Sequence, residues 1–249
     1  MTATTHSAAH PSTHPAPPAR TGSALLWLML ACAAAATATS ALGWVQWHWL
    51  FKPLTMVVAI IYVAISALRT DLRGIFYSKS PYPLLIGALL GSLAGDVFLM
   101  LPGNFFIPGL ASFLLAHLCY IALFGQGVPW LDQRRALLAT LALGAAMYAF
   151  LWQGGLPAAL RLPVAAYVLV IALMAAQAWA RRAALPGRPA LLVALGACCF
   201  MLSDSLLATN RFVQPLPLAQ LWVLASYYAA QVLIVVGVLR GAGGSSAKA

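Results

Sequence analysis

Residues 81–101 read PYPLLIGALLGSLAGDVFLML: two prolines near the start, then an apolar run broken by a single charge, Asp96. At 1.5 Å per residue, about 20 such residues cross a hydrocarbon core ~30 Å thick. The run is continuous rather than alternating, which predicts a helix and not a barrel strand, because a helix satisfies its own backbone hydrogen bonds in lipid. Seven more runs of this kind can be marked, at 23–43, 51–68, 105–124, 135–153, 162–180, 189–208 and 217–239. The predicted fold is all-α: a polytopic bundle of eight transmembrane helices over 23–240.

Composition agrees. Of 249 residues, 63% are apolar and 7% charged, where soluble domains carry about 25% charged residues. Residues 1–22 are rich in Pro, Thr, Ser and His without apolar periodicity, and 241–249 read GAGGSSAKA. Both are expected to be disordered tails. The sequence ATATSA within the first run has the small residues of a signal-peptide cleavage site, but the run is long for a signal peptide and is read as helix 1. Cys32, Cys119, Cys198 and Cys199 lie in apolar runs without CxxC spacing and are read as packing residues. His6, His10 and His14 recur every four residues, but Pro11 and Pro15 break the helix that would make them a metal site. No metal and no cofactor is expected.

The net charge of +10 is a topology signal rather than a nucleic-acid footprint. Eleven of the fourteen basic residues fall at the N-terminus, after helices 2, 4 and 6, or at the C-terminus: Arg20; Arg69, Arg73, Lys79; Arg134, Arg135; Arg181, Arg182, Arg188; Arg240, Lys248. The positive-inside rule then places both termini in the cytoplasm, as expected for a multi-pass protein of the bacterial inner membrane. Lys52, Arg161 and Arg211 are left on the outer side. Lys52 and Arg211 border helix ends, where a long cationic side chain reaches a lipid phosphate or a pocket.

All four acids are Asp, and Asp71 and Asp132 belong to the basic loops. Asp96 and Asp204 do not. They are expected about 8 and 6 Å below the outer ends of helices 3 and 7. An intramembrane carboxylate is costly and usually faces the bundle interior. A salt bridge with Lys52 or Arg211 is the structural reading of either acid. Two at similar depth, near two cations, favour a functional one. Gly87, Gly91 and Gly95 recur every four residues and predict a close helix contact beside Asp96, with Ser92 one turn below. His117 and Tyr120 share a face of helix 4, near the midplane. Ser203, Asn210, Tyr167, Tyr227, Tyr228 and Gln231 are further polar candidates. Helices 3 and 7 echo each other as Asp, then Asn104 or Asn210, then Phe and Pro, which suggests a parallel 4+4 pseudo-repeat.

GDVFLML, GLASFLLAHLCYIALF, the early KPLTM and the late FMLSDSLLATNRF, in this order, resemble the YhhN-type lysoplasmalogenase family of integral membrane hydrolases over about residues 50–240. The resemblance implies cleavage of the vinyl ether bond of a lysoplasmalogen to a fatty aldehyde and a glycerophospho-base. It carries over Asp96, His117, Asp204 and Lys52 as the matching motif positions. Acid chemistry fits: one carboxyl group protonates the alkenyl carbon while an ionised partner assists water, as glycosidases divide two carboxyls. The expected substrate-binding residues are Lys52, Arg211, Asn210, Ser203 and Tyr120. The expected partners are a lysophospholipid and membrane lipids, with no nucleic acid. A proton-coupled carrier using the same carboxylates is the alternative.

Overall fold

The computed structural model describes residues 20–70 and 80–246. They form eight helices: α1 (Arg20–Ala41), α2 (Val45–Thr70), α3 (Tyr82–Met100), α4 (Phe106–Phe124), α5 (Arg134–Gln153), α6 (Ala158–Ala184), α7 (Arg188–Phe212) and α8 (Ala219–Ser246). All eight are long and apolar enough to cross a membrane. The turns after α1, α3, α5 and α7 lie at one end of the bundle, called here the odd-turn end. Asp71, Arg73, Lys79, Lys248 and the histidines of the N-terminal tail fall outside the described residues.

Several boundaries differ from the sequence reading, and two of them move the site. Helix α2 starts at Val45, so Lys52 lies two turns inside it, and Pro53 is accommodated within the helix. The turn Gln46–His48 is helical without being apolar, which hydropathy does not register. Helix α7 continues to Phe212, which places Asp204 eight residues, about 12 Å, from its end. Asp96 is four residues, about 6 Å, from the end of α3. The two depths are therefore less alike than the sequence predicts. Helix α8 also runs to Ser246, so residues 241–246 are helical rather than an unstructured tail, with Gly241 packed beside Pro189.

The predicted glycine contact is present. A Cβ on Gly91 would meet the Ser112 carbonyl at 3.0 Å, and one on Gly95 would meet the Phe113 ring at 2.5 Å. Helices α3 and α4 approach this closely only because those positions lack side chains. Packing relations repeat between the halves: α1·α2 with α5·α6, α2·α3 with α6·α7, α3·α4 with α7·α8, and α2·α8 with α4·α6. In that arrangement α3 and α7, the carriers of the two acids, occupy equivalent places. The equivalence breaks at two points: α1 packs on α8 while α4 and α5 form no comparable contact, and α5 touches α7 while α1 and α3 do not comparably touch. The central core is aromatic, with Phe200 edge-on to Phe113, His117, Tyr120 and Tyr227.

Candidate active site

Asp96 sits on the face of α3 turned into the bundle and is 2% exposed. Both of its oxygens are engaged. Lys52 Nζ on α2 lies 3.2 Å from Oδ1, and the Tyr227 hydroxyl on α8 donates to Oδ2 at 2.6 Å. Asp204 on α7 has one hydrogen-bond partner among the described residues, the Tyr167 hydroxyl of α6, which donates to Oδ2 at 2.6 Å. No cation pairs with Asp204 among the described residues. The two acids thus hold corresponding places in the fold with different company: one has a cation and a phenol, the other a phenol alone.

Two cavities meet beside them, both in the odd-turn half of the bundle. The first is an apolar groove among α3 to α7, with an empty volume of about 790 Å³ including its open mouth. Leu110, Leu143, Met147, Val168 and Ile171 are typical of its walls. The second is a polar vestibule of about 910 Å³, likewise including its mouth, lined by His48, Lys52, Asp96, Ser203, Gln220 and Tyr227. Leu99, Phe113, Asp204 and Leu207 line both, so Asp204 is the one titratable residue in their common wall.

The remaining predicted residues divide. Arg211 stands exposed at the groove, with its guanidinium 4.2 Å from the centre of the Phe106 ring. Ser203 lines the vestibule but donates its hydroxyl to the Val223 carbonyl at 3.0 Å, joining α7 to α8. Asn210, Tyr120 and His117 line neither cavity. The Asn210 side chain accepts from Leu216 N at 2.9 Å and fastens the α7–α8 turn. Tyr120 donates to Gln231 at 2.7 Å, and Gln231 donates to Ser92, so these form a buried brace beneath Asp96. His117 is fully buried, with its ring edge-on to Tyr167 at 5.3 Å. Neither of its ring nitrogens has a hydrogen-bond partner in good geometry among the described residues; the Phe113 carbonyl one turn back is the nearest backbone candidate.

Sequence reasoning missed His48, Phe113 and Gln220. His48 precedes Lys52 by one helical turn and lies on its face, a signal that appears only once α2 is started at Val45. Phe113 and Gln220 carry no local mark of their position.

The YhhN family model matches residues 47–238, which contain every side chain of both cavities except Ser40. The chain belongs to the YhhN family. Within it, the chain is 37% identical over 173 residues to human "Lysoplasmalogenase TMEM86B", covering 68% of this chain and 71% of that protein. It is 40% identical over 154 residues to the pig protein of the same name, covering 62% of each. To the "Lysoplasmalogenase" of Mycobacterium tuberculosis it is 32% identical over 163 residues, 63% of this chain and 60% of that one. The matched segments thus span roughly two thirds of these relatives. No solved structure matches significantly.

Proposed function

We propose that this YhhN protein is a lysoplasmalogenase, a membrane hydrolase that cleaves the vinyl ether bond of a single-chain alkenyl phospholipid. The observation that carries the reading is Asp204, an acid with no cation beside it among the described residues, in the wall between an apolar groove and a polar vestibule. A vinyl ether lies at just such a boundary, between a hydrocarbon chain and a glycerophosphate. The relatives' names point to the same reaction.

The chemistry divides between the two acids. A partly buried carboxyl group with no cation beside it is least costly when neutral, so Asp204 carries the proton, on Oδ1, the oxygen that Tyr167 leaves free. Asp96, paired with Lys52, is the ionised member. Asp204 transfers its proton to the alkenyl carbon remote from oxygen. The C=C electron pair forms the new C–H bond, and the cation is shared between the other carbon and the ether oxygen. Asp96 is the charge that stabilises this oxocarbenium and accepts a proton from the water that adds to it. The resulting hemiacetal collapses: its C–O bond to glycerol breaks, the glycerol oxygen takes up a proton, and the hydroxyl loses one to leave the aldehyde. Return of the proton from Asp96 to Asp204 completes the cycle with one water consumed.

Lys52 is committed to Asp96, so its role is to keep that carboxylate charged, and the lipid phosphate falls to Arg211. Seven residues, about 10 Å along α7, separate Arg211 from Asp204. A glycerol backbone and the reach of the two side chains span that distance. Arg211 has no carboxylate partner among the described residues, its guanidinium lies over the Phe106 ring, and a planar guanidinium can meet a phosphate with two hydrogen bonds. The relatives' names favour hydrolysis over carriage.

Purified protein in detergent tests the proposal. Reaction in D₂O is expected to yield fatty aldehyde with one deuterium at the α-carbon, together with a normal solvent isotope effect from the proton transfer. An alkyl ether analogue has no double bond to protonate and is expected to inhibit without being cleaved. Fatty acid released from an acyl lysophospholipid, with no aldehyde from the alkenyl one, would replace the proposal with an esterase.

A further inference from the structure

Hydrolysis brings together two reactants of opposite solubility, a lipid and a water, and the water must reach the site while the lipid fills it. We propose, resting on the reaction above, that the two cavities are separate routes to one reaction point: the lipid arrives through the apolar groove and the water through the polar vestibule.

The groove is the lipid's side. On this proposal its mouth is the gap where α4 and α5 form no strong contact, between Leu110 on one helix and Leu143 and Met147 on the other. Leu143 is 60% exposed there, on a helix that is the least buried of the eight. An alkyl chain sliding in from the bilayer meets hydrocarbon throughout, until it reaches Asp204. The same lining gives water little reason to stay, since an ordered water needs two to four polar partners. Once a chain occupies the groove, no water passes that way.

The vestibule is the opposite kind of space. From its rim at Gln220 and His48 to its base at Asp96 it offers donors and acceptors in succession. His48 Nδ1 lies 3.0 Å from the Ala36 carbonyl, a contact that requires the ring proton on Nδ1. In the neutral ring Nε2 is then an acceptor able to hold a water, one helical turn from Lys52 and its partner Asp96. The Phe113 ring and the Leu99 and Leu207 side chains separate the two spaces, so that only Asp204 faces both as a proton donor. Water thus arrives on the Asp96 side of the alkenyl group, where the base is, and the proton arrives from the wall. His48 and Gln220 are positioning residues in this scheme, since neither touches the reacting carbon.

The test obstructs each route separately. Gln220, exposed at the vestibule rim, is changed to Trp, and Leu143, exposed at the groove mouth, is changed to Trp. The variants are compared with the native protein for kcat on lysoplasmalogen and for affinity toward the uncleaved alkyl lysophospholipid. Gln220→Trp is expected to lower kcat about tenfold with analogue affinity held within about twofold. Leu143→Trp is expected to weaken analogue affinity at least about fivefold with kcat at saturation held within about twofold. An unchanged kcat in Gln220→Trp, a loss of analogue affinity in that variant, or an unchanged affinity in Leu143→Trp would overturn the two-route scheme. A second measurement needs neither variant nor turnover. Radiolytic hydroxyl-radical footprinting of the native protein with the alkyl analogue is expected to protect Met147 in the groove and leave Met100 in the vestibule oxidised as before. Joint protection of both, or of neither, refutes separate routes. The selective pattern in a protein that cleaves no alkenyl lipid would keep the two cavities and remove the reaction.

Discussion

At the scale of single residues, the difference between the two acids is the feature with most consequence. Asp204→Asn removes the proposed proton donor but no ion pair, so turnover is expected to fall by about 10³-fold with the melting temperature almost unchanged. Asp96→Asn is expected to lose turnover to a similar degree and stability as well, because it strands Lys52, whose side chain is 12% exposed. Lys52→Met strands Asp96 in the same way, and removing one member of a buried pair costs about 3–5 kcal/mol. The double variant Lys52→Met with Asp96→Asn leaves no uncompensated charge. It is expected to recover most of the melting temperature of either single variant while remaining inactive. Thermal unfolding of the four proteins beside their turnover checks this, and a double variant that melts no higher than its parents would show that the pair does not act as a unit. Tyr167→Phe deletes only the hydrogen bond to Asp204. A loss of about tenfold in kcat is expected, with little change in KM.

At the scale of helices, α3 and α4 show what was legible in the sequence and what was not. The repeat Gly87, Gly91, Gly95 is a local pattern, and the contact it predicts is present, with Phe113 against Gly95. Gly95→Ala is expected to destabilise by about 1–3 kcal/mol, as overpacking does, because the new methyl overlaps the Phe113 ring. Phe113→Leu in the same chain should recover part of that loss. Additive losses in the double variant, read by thermal unfolding, would mean that the clash is relieved elsewhere. The eight helices were legible for the same reason as the glycines, since long apolar runs report their own environment. The first turns of α2 and the last turn of α7 were not, because Gln46, His48, Asn210 and Arg211 are polar residues in helical conformation at the ends of spans. Both acids, and Lys52 and Arg211 among the outer cations, could be singled out, as charges stand out against hydrocarbon. Their partners could not be assigned: Tyr227 reaches Asp96 across 131 positions and Tyr167 reaches Asp204 across 37. Tyr120, Asn210 and His117 have the chemistry of site residues, but their placement outside both cavities is a matter of helix rotation, which hydropathy does not encode.

At the scale of the whole molecule, the site has a side. Both cavities belong to the odd-turn half, and exposed Trp44, Trp47, Trp49, Trp152 and Trp222 ring that end, while Trp27 and Trp130 stand at the other. Tryptophans at both ends are the anchors expected where a bundle meets two membrane–water interfaces, and from the odd-turn end Asp96 lies about 6 Å and Asp204 about 12 Å along their helices. From the distribution of Lys and Arg we propose that the interface at this end is the non-cytoplasmic one, with the even-numbered turns and both termini in the cytoplasm. The lipid groove then opens to the outer leaflet and the vestibule to the outer aqueous phase. This orientation is checked first by reporter fusions: one placed after Arg188, at the start of α7, is expected in the cytoplasm, and one after Gln214, in the α7–α8 turn, outside. The same side for both would mean that α7 does not cross, and the shared wall at Asp204 could not stand. A stronger check uses sealed vesicles of defined sidedness loaded with no substrate. Alkenyl lysolipid added to the face that carries the Gln214 reporter is expected to be cleaved at once, whereas lipid confined to the opposite leaflet must flip first and should be cleaved only after a lag. Equal initial rates from the two leaflets would place the groove mouth across the bilayer midplane, and the orientation of the site would have to be abandoned even with the helix topology intact.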